Sequence, residues 1–156
     1  MKRISKWAAI VLVALLGVVQ LVPVERTNPT VDGEITAPAE VHSILQRACY
    51  DCHSNETVWP WYSRIAPPSW LIARDVREGR AALNFSSWSR LGAEAQTEAM
   101  LATWEEVAEG EMPPSLYLAP HPNAQLSQED RAILQEWARV AGQDEFAAEQ
   151  VESEDD

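Results

Sequence analysis

A chain of 156 residues has room for one ordinary domain, and its 24 acidic against 12 basic side chains leave a net charge of −12. That balance excludes a nucleic-acid-binding surface, because it repels phosphate. Two cysteines exclude a disulfide-built scaffold, and with three histidines beside them they leave little for a metal cage.

In chain order, Lys2, Arg3 and Lys6 precede an apolar run over residues 7–24, broken only by Gly17 and Gln20. Eighteen residues at ~1.5 Å each span about 27 Å, enough for a bilayer core, so residues 1–24 are expected to form a signal anchor, a transmembrane helix. No small-x-small pair closely follows the run, which favours an uncleaved anchor over a removed export signal. The basic flank would stay inside, placing the remainder on the periplasmic side of a bacterial inner membrane as a single-pass protein. Beyond residue 24, nine arginines stand against all 24 acidic side chains, a net −15 with no lysine. Such a domain is steered toward a partner with a basic docking surface.

Residues 25–35 hold Pro29, Asp32 and Gly33 without periodicity and read as a linker. Residues 36–142 form the domain. Its first helix is expected from near Pro38, with Val41, Ile44, Leu45 and Ala48 on one apolar face and Cys49 on the same side. After an aromatic patch, Val58-Trp59-Pro60-Trp61-Tyr62, closed by Arg64, Pro67-Pro68-Ser69 opens a second helix to about Gly79, with Trp70, Leu71 and Arg77 on its face. Residues 84–89 read as a polar loop carrying Phe85 and Trp88. A third helix over about 93–109 buries Met100, Leu101, Trp104 and Val107. Residues 110–123, with four prolines, are an extended loop. Ser127 and Asp130 make a capping box for the last helix, whose face is Ile133, Leu134, Trp137 and Val140 and whose stop is Gly142. Residues 143–156 are an acidic tail expected to be disordered. No strand or hairpin pattern is present, so the domain is all-α.

Cys49-Tyr50-Asp51-Cys52-His53 has the form C-x-x-C-H, the attachment signature of a c-type haem. Each thiol bonds one vinyl group, and the following imidazole becomes an axial iron ligand. Three other readings compete. A thioredoxin-type dithiol follows a strand, whereas a helix leads into Cys49. Zinc needs about four ligands, and His42 and His121 offer no closely spaced partner for the motif. A disulfide across so short a loop has poor geometry. Haem, covalently held and one per chain, is the expected cofactor.

For the second axial position the candidates are Met112, Met100, His121 and His42. Met112, in Gly110-Glu111-Met112-Pro113-Pro114, leads them, because a loop stiffened by proline can hold a thioether over iron. Met100 sits mid-helix, where methionine is more often core filler. A carbonyl within residues 66–68 is expected to accept the second imidazole N–H of His53. Trp59 is expected against the porphyrin edge. Arg64, with Arg74 beside it, is expected to pair with a propionate.

These residues carry a resemblance. The motif with Ser54-Asn55-Glu56-Thr57, then Trp59-Pro60-Trp61-Tyr62-Ser63, Asp75-Val76-Arg77-Glu78-Gly79-Arg80, Leu83-Asn84-Phe85-Ser86, Gly110-Glu111-Met112-Pro113-Pro114 and His121-Pro122 resembles the bacterial haem-binding domain family across most of residues 36–141. The resemblance implies an exported, often membrane-tethered, monohaem c-type cytochrome-like domain. A helix ending in C-x-x-C-H, a late Met-Pro loop and a terminal helix are similar to class I cytochromes c as well, although residues 59–62 and 84–88 depart from them. The expected fold is a cytochrome c-like helical domain wrapped around one covalent haem. The expected function is single-electron transfer outside the cytoplasmic membrane by a membrane-anchored carrier, not an enzyme. The alternatives are a peroxidase-like or gas-binding haem protein with an open sixth position, and a haem-free binding module.

Overall fold

The computed structural model describes residues 2–154, with side chains for residues 6–143. Among the described residues there are seven α-helices, three short 3-10 turns and no strand. Helix α1 spans Lys2–Val19, α2 Ala39–Ala48, α3 Tyr50–His53, α4 Pro68–Ala82, α5 Ala93–Glu109, α6 Ser115–Leu118 and α7 Gln128–Glu154.

The expected anchor is corrected. No helix among the described residues is long and apolar enough to cross a membrane, and the single-pass inner-membrane placement with a periplasmic domain falls with it. The physical reason is where α1 begins and ends. Lys2, Arg3 and Lys6 lie inside the helix, and it stops at Val19. Residues 7–19 at ~1.5 Å each cover about 20 Å, against the roughly 30 Å of a hydrocarbon core.

Residues 20–35 are not a free spacer either. The Gln20 amide accepts from Ala66 N–H (2.9 Å) and donates to Ala66 O (3.1 Å), pairing with that peptide as a backbone would. Arg26 donates to Ser63 O, and Asn28 to Thr57 O. Asp32 and Gly33 donate their N–H groups to Ser86 O, Ile35 donates to Phe85 O, and the Arg90 guanidinium pairs with Asp32. The segment is a strap whose polar groups are met by the domain beneath it.

The α2 face forms at the expected spacing: Val41, Ile44, Leu45 and Ala48 are all buried. Leu45, Phe85, Val107 and Leu134 are fully enclosed at the centre. Tyr50 stacks on Phe85 (centroids 5.6 Å), and Phe85 on Trp88 (6.1 Å). The stretch over residues 84–89 therefore supplies core rings, while Asn84 Oδ1 accepts from Ser86 N–H within it, Ser86 Oγ accepts from Asn55 N–H and Asn84 Nδ2 donates to Asn55 Oδ1. Helix α5 packs most extensively on α7, through Val107, Met100 and Trp104 against Leu134, Ala138 and Trp137. Leu101 and Val140, expected inside, are largely exposed. In α4 the buried residues are Ser69 and Val76, and Trp70 and Arg77 face out. This helix packs chiefly on α3 and the 61–64 turn, so its inner side must be small.

The predicted cap of α7 is present. Ser127 N–H donates to Asp130 Oδ2 (2.8 Å), and Asp130 N–H donates to Ser127 Oγ (3.1 Å). Arg47 donates to Asp130 Oδ1 (2.8 Å) and to the Asn123 and Gln125 carbonyls, fastening α2 to the start of α7. Gly142 does not end α7, which runs on to Glu154 through most of the expected tail. A Cβ added there would meet only Leu101, nearest at Cδ2 (3.4 Å), an ordinary contact, so packing does not demand the glycine. Residues 155–156 of that tail lie outside the described residues.

Candidate functional site

Helix α2 ends at Ala48, and Cys49 leaves helical geometry at φ −124°, ψ −33°. Its carbonyl accepts N–H bonds from Cys52 (3.1 Å) and His53 (2.9 Å), which winds the single turn of α3. One turn thus carries both free cysteines and the imidazole. Burial pushes the Cys49 thiol up to about 12, with Cys52 adding to the rise and Arg47 opposing it. Burial likewise pushes Cys52 up to about 11, aided by Asp51 and Asp75. Both sulfurs are protonated at neutral pH, the reverse of the thiolate a dithiol oxidoreductase needs. Among the described residues no group of three or more His, Cys, Asp or Glu side chains forms a metal cage.

His53 Nδ1 lies 3.1 Å from Leu83 O. The carbonyl can only accept, so Nδ1 carries the proton and Nε2 keeps its lone pair. The partner is the C-cap residue of α4, not a carbonyl within residues 66–68 as the sequence led us to expect. It is held in place because Leu83 N–H donates to Gly79 O and Phe85 N–H donates to His53 O. Burial lowers the His53 pKa, against the raising effects of the Leu83 and Gly79 carbonyls and of Glu106. The ring is neutral at pH 7, as an iron or zinc ligand must be.

Gly79 makes this arrangement fit. A Cβ built there would stand 2.7 Å from Cys52 O and 3.1 Å from Cys52 Cβ. Only a glycine lets α4 approach the motif this closely. Sequence reading treated Gly79 as the end of the helix, but α4 continues to Ala82. A glycine standing inside a helical pattern was the available signal, since such a residue commonly marks close approach.

Met112 is half-buried against the same cluster as Cys49. Its place follows from how α5 ends. Gly110 turns left-handed (φ 83°), and Glu111 and Met112 both donate N–H to Glu106 O (3.0 and 3.1 Å). Glu106 is also the carboxylate whose field reaches His53. Met112 thus hangs from the same residue of α5 whose charge acts on His53. Met100, on α5, packs against the core as well.

The two other candidate ligands are engaged. His121 Nδ1 is 2.8 Å from Tyr117 O, and its Nε2 is 3.3 Å from Tyr62 Oη. Tyr117 stacks on that ring (4.2 Å) and donates its hydroxyl to Asp51 Oδ2 (2.8 Å), inside the motif. His42 Nε2 lies 3.0 Å from Glu34 Oε1, on the strap. Trp59, expected against the porphyrin edge, is not part of the hydrophobic core cluster that Cys49 and Met112 pack against. The Trp59 indole N–H donates to Asn28 Oδ1 (3.1 Å), toward the strap, and Arg64 is exposed on the 61–64 turn. Arg74 is exposed and paired with Asp75 and Glu78.

A family model described as a haem-binding domain matches residues 14–140, most of the chain. No curated protein and no solved structure matches the chain.

Proposed function

The chain belongs to the haem-binding domain family, and from that premise we propose that it is a c-type cytochrome, holding one haem covalently through Cys49 and Cys52 and passing single electrons. The observation that carries this reading is the state of His53. Its imidazole is neutral, its Nδ1–H is fixed on Leu83 O, and its Nε2 lone pair is left to bind, one residue past Cys52. Ligating histidines have this tautomer and this backbone partner.

The donor set fits the group. Two protonated, unpaired thiols three residues apart suit addition to the two vinyl positions. Bound haem supplies a one-electron iron couple. His53 would hold the iron through Nε2 and Met112 through its sulfur. Met112 is preferred to His121 because both nitrogens of His121 already have partners. Two protein ligands favour a carrier over peroxide or gas chemistry, which needs an open position. On α5, Glu94, Glu98, Glu105, Glu106 and Glu109 are exposed, and Glu111 follows them beside Met112. This acidic side favours a redox partner with a basic docking surface.

The test is production in a strain that matures cytochromes c, followed by mass measurement of the denatured chain. The expected result is a gain of one haem that acid-acetone does not remove, with a low-spin spectrum and a sulfur-to-iron band when oxidised. A bare chain refutes the proposal. High-spin haem that takes carbon monoxide at once transfers the case to the gas-binding or peroxidase-like alternative.

A further inference from the structure

We propose that Arg80 is a positioning residue for the haem-bearing turn: it clamps the N-terminal strap across the back of that turn and fixes a positive charge beside Cys52. The inference rests on the haem reading above, and it concerns a residue that reading does not use.

The geometry is a four-bond fork. Arg80 Nε donates to Ser54 O (2.7 Å), the carbonyl directly after His53. Nη1 donates to Thr27 O (2.9 Å), and Nη2 to Asn28 Oδ1 (3.1 Å), both on the strap. Nη2 also donates to Thr57 Oγ1 (2.8 Å), whose own hydroxyl donates to Asp51 O (2.8 Å) within the motif. Asn28 closes the loop by donating to Thr57 O (2.9 Å). One planar guanidinium therefore ties two segments, 27–28 and 54–57, to α4, which an ammonium cannot do at the same angles.

Its neighbour in sequence fixes how near it lies to the motif. Gly79 is in main-chain contact with Cys52, so Arg80 begins at that contact. Arginine stays charged even when half-buried. A fixed positive charge near a porphyrin edge disfavours the ferric state, which carries one more positive charge, and so raises the reduction potential.

The test compares Arg80→Gln, Arg80→Lys and Asn28→Ala in the matured protein by redox titration and thermal unfolding. Arg80→Gln should lower the ferrous-to-ferric ratio at a fixed solution potential by on the order of threefold or more, the scale of one unit charge acting over about 10 Å through a partly wet interior. Arg80→Lys keeps the charge but loses the fork. It should lower the unfolding midpoint and shift the ratio less. Asn28→Ala should lower the midpoint and leave the ratio unchanged. An unchanged ratio in Arg80→Gln overturns the charge role. Should that variant fail to mature, equal midpoints for Arg80→Lys, Asn28→Ala and the unaltered chain overturn the clamp. Hydrogen exchange on the haem-free chain separates this proposal from the haem reading. Arg80→Gln should raise exchange both at residues 24–30 and at residues 49–58, and unchanged protection at both sites refutes the positioning role even if no haem is ever bound.

Discussion

Replacing Gly79 by alanine tests how the site is built. In a helix interior this change ordinarily stabilises by about 1 kcal/mol, because glycine gives up more chain entropy on folding. At Gly79 the new methyl would sit 2.7 Å from Cys52 O, where ordinary contact begins at 3.4 Å. The obstacle is main chain, so no rotamer change relieves it. Either α4 or the α3 turn must withdraw by about 0.7 Å, the difference between those two separations. Forcing a methyl into a packed contact costs about 1–3 kcal/mol, and an immovable backbone partner belongs in the upper half of that range. The expected net loss is about 1–2 kcal/mol, after the helix gain is subtracted. Urea unfolding followed by tryptophan fluorescence measures it, since seven tryptophans report on the transition. Gly142→Ala is the matched control. Its methyl would meet only Leu101 Cδ2 at 3.4 Å within a continuing helix, so it should stabilise by about 0.4–1 kcal/mol. If Gly79→Ala is as stable as the unaltered chain and attaches haem in equal yield, the close approach of α4 to the motif is not what shapes the site.

Met112→Ala should remove the sulfur-to-iron band, lower the reduction potential and open the iron to carbon monoxide; an unchanged spectrum removes Met112 from the ligand role. Asp130→Ala should cost about 1 kcal/mol in unfolding free energy, the usual loss for a helix cap. Although burial pushes the Asp130 carboxyl up, the Ser127 bonds and the Arg47 guanidinium hold it below its ordinary value. Its contribution is therefore complete above about pH 4 and is lost as the pH falls through the lowered value. A pH–stability profile of the unaltered chain should show that loss, and the Asp130→Ala profile should lack that part of it. Tyr117→Phe keeps the ring on His121 but leaves Asp51 Oδ2 without its donor. It should destabilise the chain by about 1 kcal/mol, or more where the carboxylate stays buried, and calorimetry checks this.

Much of the helical plan was legible because it rests on local physics. The spacing of Val41, Ile44, Leu45 and Ala48 fixed the buried face of α2, and Ser127 with Asp130 marked the start of α7. What failed needed knowledge of contact. The second helix is expected to about Gly79 and the last to stop at Gly142, yet both glycines sit in continuing helices, and at Gly79 the backbone of Cys52 comes close. The segment at 25–35 looked featureless because its order comes from partners distant in sequence, such as Thr57, Ser63, Arg80 and Ser86. The anchor failed because hydropathy summed over residues 7–24 could not see the helix end at Val19. At the site, the motif was visible as three letters. The carbonyl of Leu83, thirty residues on, could not be read without the fold.

The two hydrogen bonds that Glu111 and Met112 N–H donate to one Glu106 carbonyl give the thioether no independent address. Its height and bearing are inherited from the rotation of α5 against α7. A side chain changed deep in that pair, Leu134 for instance, should therefore be felt at the sulfur, and also at His53, whose turn continues α2, the helix that Arg47 fastens to α7. Through α7 the two proposed ligands share one support, so sequence change there should be answered on both sides.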